Sequence, residues 1–177
     1  ERNDIFGMDA AILMHPKDDV SAFVIGYGSG VTVGAMTQSR ALLRLDVAEL
    51  EPAVLTAADE FFGEFNHSPQ RDPRVHRLIG DGRNALLASP RVYDVIVSEP
   101  SNPWIAGVAT MVSRDFYRLA KSRLADDGIY CQWAQLYELG PANVKSIYRT
   151  FASEFPFVYA FTPGDETTDT LLLGSRR

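Results

Sequence analysis

Cysteine is almost absent: Cys131 is the single one in 177 residues, which excludes an internal disulfide and suits a reducing compartment. A lone thiol in an apolar stretch is expected to serve as a small buried hydrophobe. No apolar run approaches the ~20 residues that span a bilayer, and no N-terminal stretch reads as a signal peptide. A cytoplasmic setting is therefore expected, with no membrane contact by this segment and any tether lying outside residues 1–177. Basic runs are missing and the net charge is −6, which disfavours a nucleic-acid backbone as partner. His15, His67 and His76 have no second histidine at helical metal-ligand spacing, so no metal is expected. Internal repeats, low-complexity segments and linkers are also missing. What remains is a chain of one expected domain, residues 1–177, with 46% hydrophobic content, enough for a two-sided α/β core.

The most informative stretch is Phe23-Val24-Ile25-Gly26-Tyr27-Gly28-Ser29-Gly30. A buried-strand run enters a loop with glycine at every second position, and an apolar segment follows, a strand–turn–helix pattern. Glycine permits positive φ and close approach of a ligand to the backbone. The dinucleotide fingerprint G-x-G-x-x-G would need glycine at position 31, where the chain has Val31, so NAD is the weaker expectation. About twenty residues on, Leu45-Asp46-Val47-Ala48-Glu49-Leu50-Glu51-Pro52 predicts a second strand ending in acid, suited to accepting hydrogen bonds from ribose hydroxyls. A glycine loop with an acid-tipped second strand fits S-adenosyl cofactors as well as dinucleotides.

In chain order the pattern predicts an N-terminal helix over residues 1–16, broken at Pro16, and strands over residues 22–25, 42–47, 75–79, 92–97 and 129–133. Helices are expected between them, one with Pro52 in its first turn burying Val54, Leu55, Ala58, Phe61 and Phe62, and another capped by Ser113. Asp127-Gly128 is expected to turn into strand five, and residues 157–174 to close as an antiparallel hairpin around Pro163-Gly164-Asp165. The fold class is therefore α/β: a doubly wound, mostly parallel, seven-stranded sheet with a C-terminal antiparallel hairpin. Ligands in such sheets bind at the carboxyl ends of the strands. The polar tips expected there are Gly26 to Gly30, Glu49, Asp81, Glu99 and, within strand five, Gln132.

The glycine loop, Glu49-Leu50-Glu51-Pro52, Asp72-Pro73-Arg74-Val75, Gly80-Asp81-Gly82-Arg83, Tyr93-Asp94-Val95-Ile96 and Gln132 together resemble the spermidine synthase family of polyamine aminopropyltransferases. The stretch Ser98-Glu99-Pro100-Ser101-Asn102-Pro103-Trp104-Ile105-Ala106-Gly107 is most similar to members fused to membrane transporter-like segments. The likeness runs from about Asp9 to Gly174; the small N-terminal β-domain of the enzymes has no counterpart in it. The resemblance implies the class I S-adenosylmethionine methyltransferase sheet, a Rossmann-like fold.

The resemblance also implies roles. Gly26, Gly28, Ser29 and Gly30 would face the aliphatic arm of S-adenosylmethionine or its decarboxylated form, Glu49 would hold the ribose hydroxyls, and Asp81 with the Gly82 amide would read adenine. Glu99, on the acceptor loop 98–107, would orient or deprotonate an amine, with Asn102, Trp104 and Gln132 shaping its pocket and methylthioadenosine as product. A small-molecule amine is the expected partner, and a homodimer the expected assembly. Three residues depart from the family pattern. Ser29 replaces an aspartate that binds the propylamine, and the paired aspartates of the strand-four loop become Glu99 and Asn102. Serine and asparagine cannot ionise, so S-adenosyl binding is the firmer expectation than polyamine synthesis. Methyl transfer and a non-catalytic nucleotide-binding role stand as alternatives.

Overall fold

The computed structural model describes residues 12, 15–100, 107–136, 139–162 and 169–177. The expected N-terminal helix, most of the acceptor loop and the Pro163-Gly164-Asp165 turn lie outside the described residues.

Val20 and Ala22 to Ile25 are buried on both faces, as expected of the central strand in a sheet covered on both sides. This strand, β1 (Val20–Ile25), lies between the parallel strands β2 (Leu42–Glu49) and β4 (Tyr93–Ser98). Outward follow β3 (Val75–Ile79) beside β2 and β5 (Leu124–Gln135) beside β4. Antiparallel β7 (Asp169–Ser175) then pairs with β5, and β6 (Phe157–Phe161) with β7. The resulting order, β3-β2-β1-β4-β5-β7-β6, is the seven-stranded, doubly wound sheet expected.

Alternation along β1 divides the core. Val20, Ala22 and Val24 pack with Val33 and Met36 of α1 (Val31–Thr37) and with Leu55 and Ala58 of α2 (Pro52–Phe61). Phe23 and Ile25 belong to the opposite layer, with Leu86 of α3 (Gly82–Ala88), Phe116 and Tyr117 of α4 (Arg114–Ser122), and Phe151 of α5 (Pro141–Glu154). Ser113 caps α4 as expected, its hydroxyl accepting from the Phe116 amide at 3.3 Å.

Local departures from the expectations have physical causes. Strand β5 begins at Leu124 and absorbs Asp127-Gly128, because pairing to β4 resumes across an irregularity between Tyr93 and Val95; the expected turn is an irregularity within one strand. Phe61 and Phe62 are exposed where burial is expected, because they lie at the C-terminal end of α2, one turn beyond Ala58, the last residue of that helix in the core. The Arg74 guanidinium donates to the Thr37, Ser39 and Leu42 carbonyls at 2.6, 3.1 and 3.1 Å. It thereby ties the start of β3 to the end of α1, and the paired Asp72 carboxyl is held below its usual range by that guanidinium.

Candidate functional site

The order reverses between β1 and β4, so the helices after them leave on opposite faces and a crevice opens at the carboxyl ends. A cavity of about 540 Å³ lies there, lined by Gly26, Gly28 and Ser29 of the glycine loop, Glu49, Asp81, Gly82 and Glu99 among others, but not by Gly30. That volume falls within the range of small-molecule sites.

Two loop glycines have distinct steric reasons. Gly26 has φ of 92°, and a Cβ there would come 2.7 Å from the Glu99 carbonyl; the loops after β1 and β4 approach each other too closely for a side chain. Gly30, with φ of 77°, caps α1 in the left-handed region, where other residues are strained. Gly28 and Ser29, between them, also line the cavity. Tyr27, for which the sequence leaves open a pocket wall or a solvent-facing ring, is 97% buried (3% exposed). Its ring sits beneath Gly30 and under the Arg77 guanidinium at 5.2 Å, and Tyr27 is itself one of the residues that line the cavity.

Glu49 ends β2. Its Oε2 accepts from the Tyr27 amide at 2.9 Å and its Oε1 from the Glu51 amide at 3.0 Å. Each oxygen keeps acceptor capacity for a hydroxyl. Asp81 caps α3 through the Asn84 amide at 2.7 Å, while Gly82 is buried with no room for a Cβ, which would meet Ile25 Cγ2 at 2.5 Å.

Glu99 follows β4 directly, its amide donating to the Ile25 carbonyl at 2.9 Å. Its carboxyl is desolvated, which pushes its pKa up to about 7, against the lowering effect of a hydrogen bond with the Thr32 side chain. Oε1 is buried without a hydrogen-bond partner among the described residues. A carboxyl poised near neutrality with a free oxygen in a cavity can accept a proton from a bound group.

Gln132 is elsewhere. It is fully buried in β5, donating to the Ser98 and Trp133 carbonyls at 3.3 and 2.8 Å and accepting from Tyr130 Oη at 2.7 Å. It ties β5 to β4 behind the cavity and is not one of the cavity-lining residues; its neighbour Trp133 is, with Met111. Asn102 and Trp104 lie outside the described residues. Thr32 had no sequence signal beyond its place two residues after the glycine loop.

The opposite edge of the sheet holds a grouping that linear spacing conceals. His15, Asp94 and Asp127 bring one ligand atom each within 4.8 Å of one another. The Lys17 ammonium lies 2.6 Å from Asp94 and 3.1 Å from Asp127, so the carboxylates already share a cation.

Comparison with known proteins bears on the family and the fold. The family model for the spermine/spermidine synthase domain matches residues 8–164. The chain is 27% identical over 150 residues to a polyamine aminopropyltransferase of Synechococcus sp., covering 80% of this chain and 47% of that protein. It is 30% identical over 122 residues to polyamine aminopropyltransferase 2 of Streptomyces coelicolor, covering 66% and 22%. The chain thus spans about half the length of such relatives, or less. Spermidine synthase from Thermotoga maritima superposes with a TM-score of 0.83 at 18% identity, over 100% of this chain and 62% of that one. Human methyltransferase-like protein 13, solved in complex with SAH, gives 0.81 at 19% identity, over 99% and 82%. Both likenesses establish the fold. Among the described residues no helix is long and apolar enough to cross a membrane.

Proposed function

Since the chain belongs to the spermine/spermidine synthase domain family, we propose that it binds an S-adenosyl compound in the 540 Å³ cavity and transfers an aminopropyl group to an amine. The observation that carries this reading is the convergence of the glycine loop, Glu49, Asp81 and Glu99 on one cavity. The cradle fits the group: Glu49 offers acceptors to a diol, and Gly26, Gly28, Ser29 and Gly82 line the cavity with little or no side chain.

When bound, the S-adenosyl group supplies a sulfonium whose adjacent carbon accepts the amine lone pair as the C–S bond breaks and its electrons return to sulfur. The chain's part is to hold the amine and take its proton. An acceptor amine is mostly protonated at neutral pH, with a pKa near ~10, and the Glu99 carboxylate, whose Oε1 has no partner among the described residues, serves as the base. Desolvation keeps that carboxyl close to the operating pH, where general bases work best.

A second reading, methyl transfer from S-adenosylmethionine, is favoured by one residue. Ser29, where the family pattern has an aspartate, would not repel the carboxylate of the full cofactor.

Calorimetric titration with methylthioadenosine, S-adenosylmethionine, its decarboxylated form and NAD tests the binding step, and a steady-state assay with putrescine, cadaverine and other amines tests transfer. The expected result is binding of S-adenosyl compounds and turnover with an amine. Binding of NAD alone would reject the cofactor; binding without transfer to any amine would leave a nucleotide-binding domain.

A further inference from the structure

Behind the glycine loop, away from Glu99, lies Asn66, a polar residue with no exposed surface. Its Nδ2 donates to the Ser29 carbonyl at 2.8 Å and, more weakly, to the Ala58 carbonyl at 3.4 Å. Its Oδ1 accepts from the Ser68 amide at 2.9 Å, and its own amide donates to the Phe62 carbonyl at 2.9 Å. Every polar group of this side chain is thus used, as burial requires. The following residues, His67 and Ser68, have φ of 58° and 49°, the left-handed conformation that few side chains adopt. The loop after α2 is bent sharply to deliver one amide to one carbonyl 37 residues earlier.

The fit on the other side is equally close. A Cβ at Gly34 would overlap the Asn66 carbonyl, and one at Gly30 would come 2.9 Å from Asn66 Nδ2. The first turn of α1 therefore rests directly on Asn66. Gly30 has no side-chain cap, and its amide is already given to the Tyr27 carbonyl at 2.8 Å. With the glycines providing little steric restraint, an outside contact is needed to fix the peptide between Ser29 and Gly30.

We propose that Asn66 is a positioning residue for the ligand site: by holding the Ser29 carbonyl it fixes the loop orientation in which Ser29 and Gly28 line the cavity. Resting on the S-adenosyl reading above, this assigns Asn66 to the arm of the ligand rather than to its nucleoside, which Glu49 and Asp81 serve. The bond is not a fold requirement of the sheet, since it joins two loops and no strand.

Two variants separate the two bonds. Asn66→Ser retains an oxygen that can accept from the Ser68 amide two residues on but is too short to reach the Ser29 carbonyl; Asn66→Ala loses both. Amide hydrogen exchange over residues 26–34 without ligand should accelerate in both variants. The Kd for S-adenosylmethionine should rise about tenfold in both, the scale of one buried hydrogen bond, while the Kd for adenosine stays within about twofold. Parallel weakening of both ligands would mean only less folded protein, and an effect confined to Asn66→Ala would assign the role to the Ser68 turn; either overturns the proposal, as does unchanged loop exchange. A wild type that binds neither ligand would reject the S-adenosyl reading, with the exchange measurement still deciding the role of Asn66.

Discussion

The two edges of the sheet use the same residue types to opposite ends. At the amino edge, Asp94 and Asp127 share the Lys17 ammonium, and Asp72 is paired with Arg74, whose guanidinium also satisfies three carbonyls. At the carboxyl edge, among the described residues, Glu49 and Asp81 meet only backbone amides, Glu99 has one oxygen without a partner, and no cation forms an ion pair with any of the three. Paired charges hold loops together and ask nothing of a ligand. A desolvated carboxylate without a cation costs stability, as at Glu99, and its grouping with Glu49 and Asp81 around one cavity marks where the molecule meets something else.

Glu99 offers the largest effect through which to break this contrast. Glu99→Gln keeps size and hydrogen bonding but removes the base, so turnover should fall by about 10²–10⁴-fold with cofactor affinity little changed. In the wild type, activity should rise as pH climbs through about 7, where the carboxyl gives up its proton. Stability should move the other way. The folded carboxyl keeps its proton to about 7 and the unfolded one to 4.5, so the folded state binds more protons between those values and loses stability as pH rises across them. Thermal melts at several pH values should show that loss in wild type and not in Glu99→Gln. Transfer that survives the substitution unchanged would remove Glu99 from the chemistry.

Glu49 comes next. Glu49→Ala removes the acceptors proposed for the ribose and should weaken methylthioadenosine binding by about 2–3 kcal/mol, the scale of charge-assisted hydrogen bonds. The Tyr27 amide loses its partner as well, so part of the effect runs through the loop. Glu49→Gln separates the two, because it keeps acceptor oxygen on the same stem. Titration of both variants should place Gln between wild type and Ala; equal affinities in all three would show that Glu49 serves only the backbone.

How much of this was legible follows from the reach of each interaction. The strands and their tips are local signals: an apolar run, then glycine or acid, placed Gly26, Glu49, Asp81 and Glu99 at one edge, and all four line the cavity. Gln132 lies off the cavity lining for a reason of alternation. Tyr130 and Gln132 share one face of β5 and bond to each other, whereas the alternate residue Trp133 reaches the cavity. Asn66 bonds across 37 residues and Lys17 across 77 and 110; nothing in their immediate sequence announces the partner. The exposed Phe61 and Phe62 continue the helical period of α2 after the sheet has ended, so periodicity alone assigned them to the core.

Ser29 sharpens the comparison from the other direction, by adding a charge to the carboxyl edge. If its side chain faces the cofactor arm, Ser29→Asp should shift preference toward decarboxylated S-adenosylmethionine by roughly 1–3 kcal/mol, since a carboxylate attracts the propylamine and repels the cofactor carboxylate in a water-poor site. Paired titrations of the two cofactors read this directly. No change in their ratio would show that position 29 does not meet the arm.

The smallest effect is expected at the amino edge. Lys17 is 43% exposed and Asp127 46%, so water and salt screen most of their attraction. The pairing raises the Lys17 pKa and lowers that of Asp127, which records contact more than stability. Asp94 is better buried and also accepts from the Ser21 amide at 2.9 Å, a bond that remains when the lysine is lost. Lys17→Met, which preserves the aliphatic stem, should therefore lower stability by no more than about 1 kcal/mol. The difference from wild type should shrink as salt is raised in denaturant titrations. Methylthioadenosine affinity should be unchanged, because this ion pair and the cavity occupy opposite ends of the strands. A tenfold loss of affinity in Lys17→Met would mean that the two edges are coupled through β1 and β4, and the division between a holding edge and a binding edge would fail.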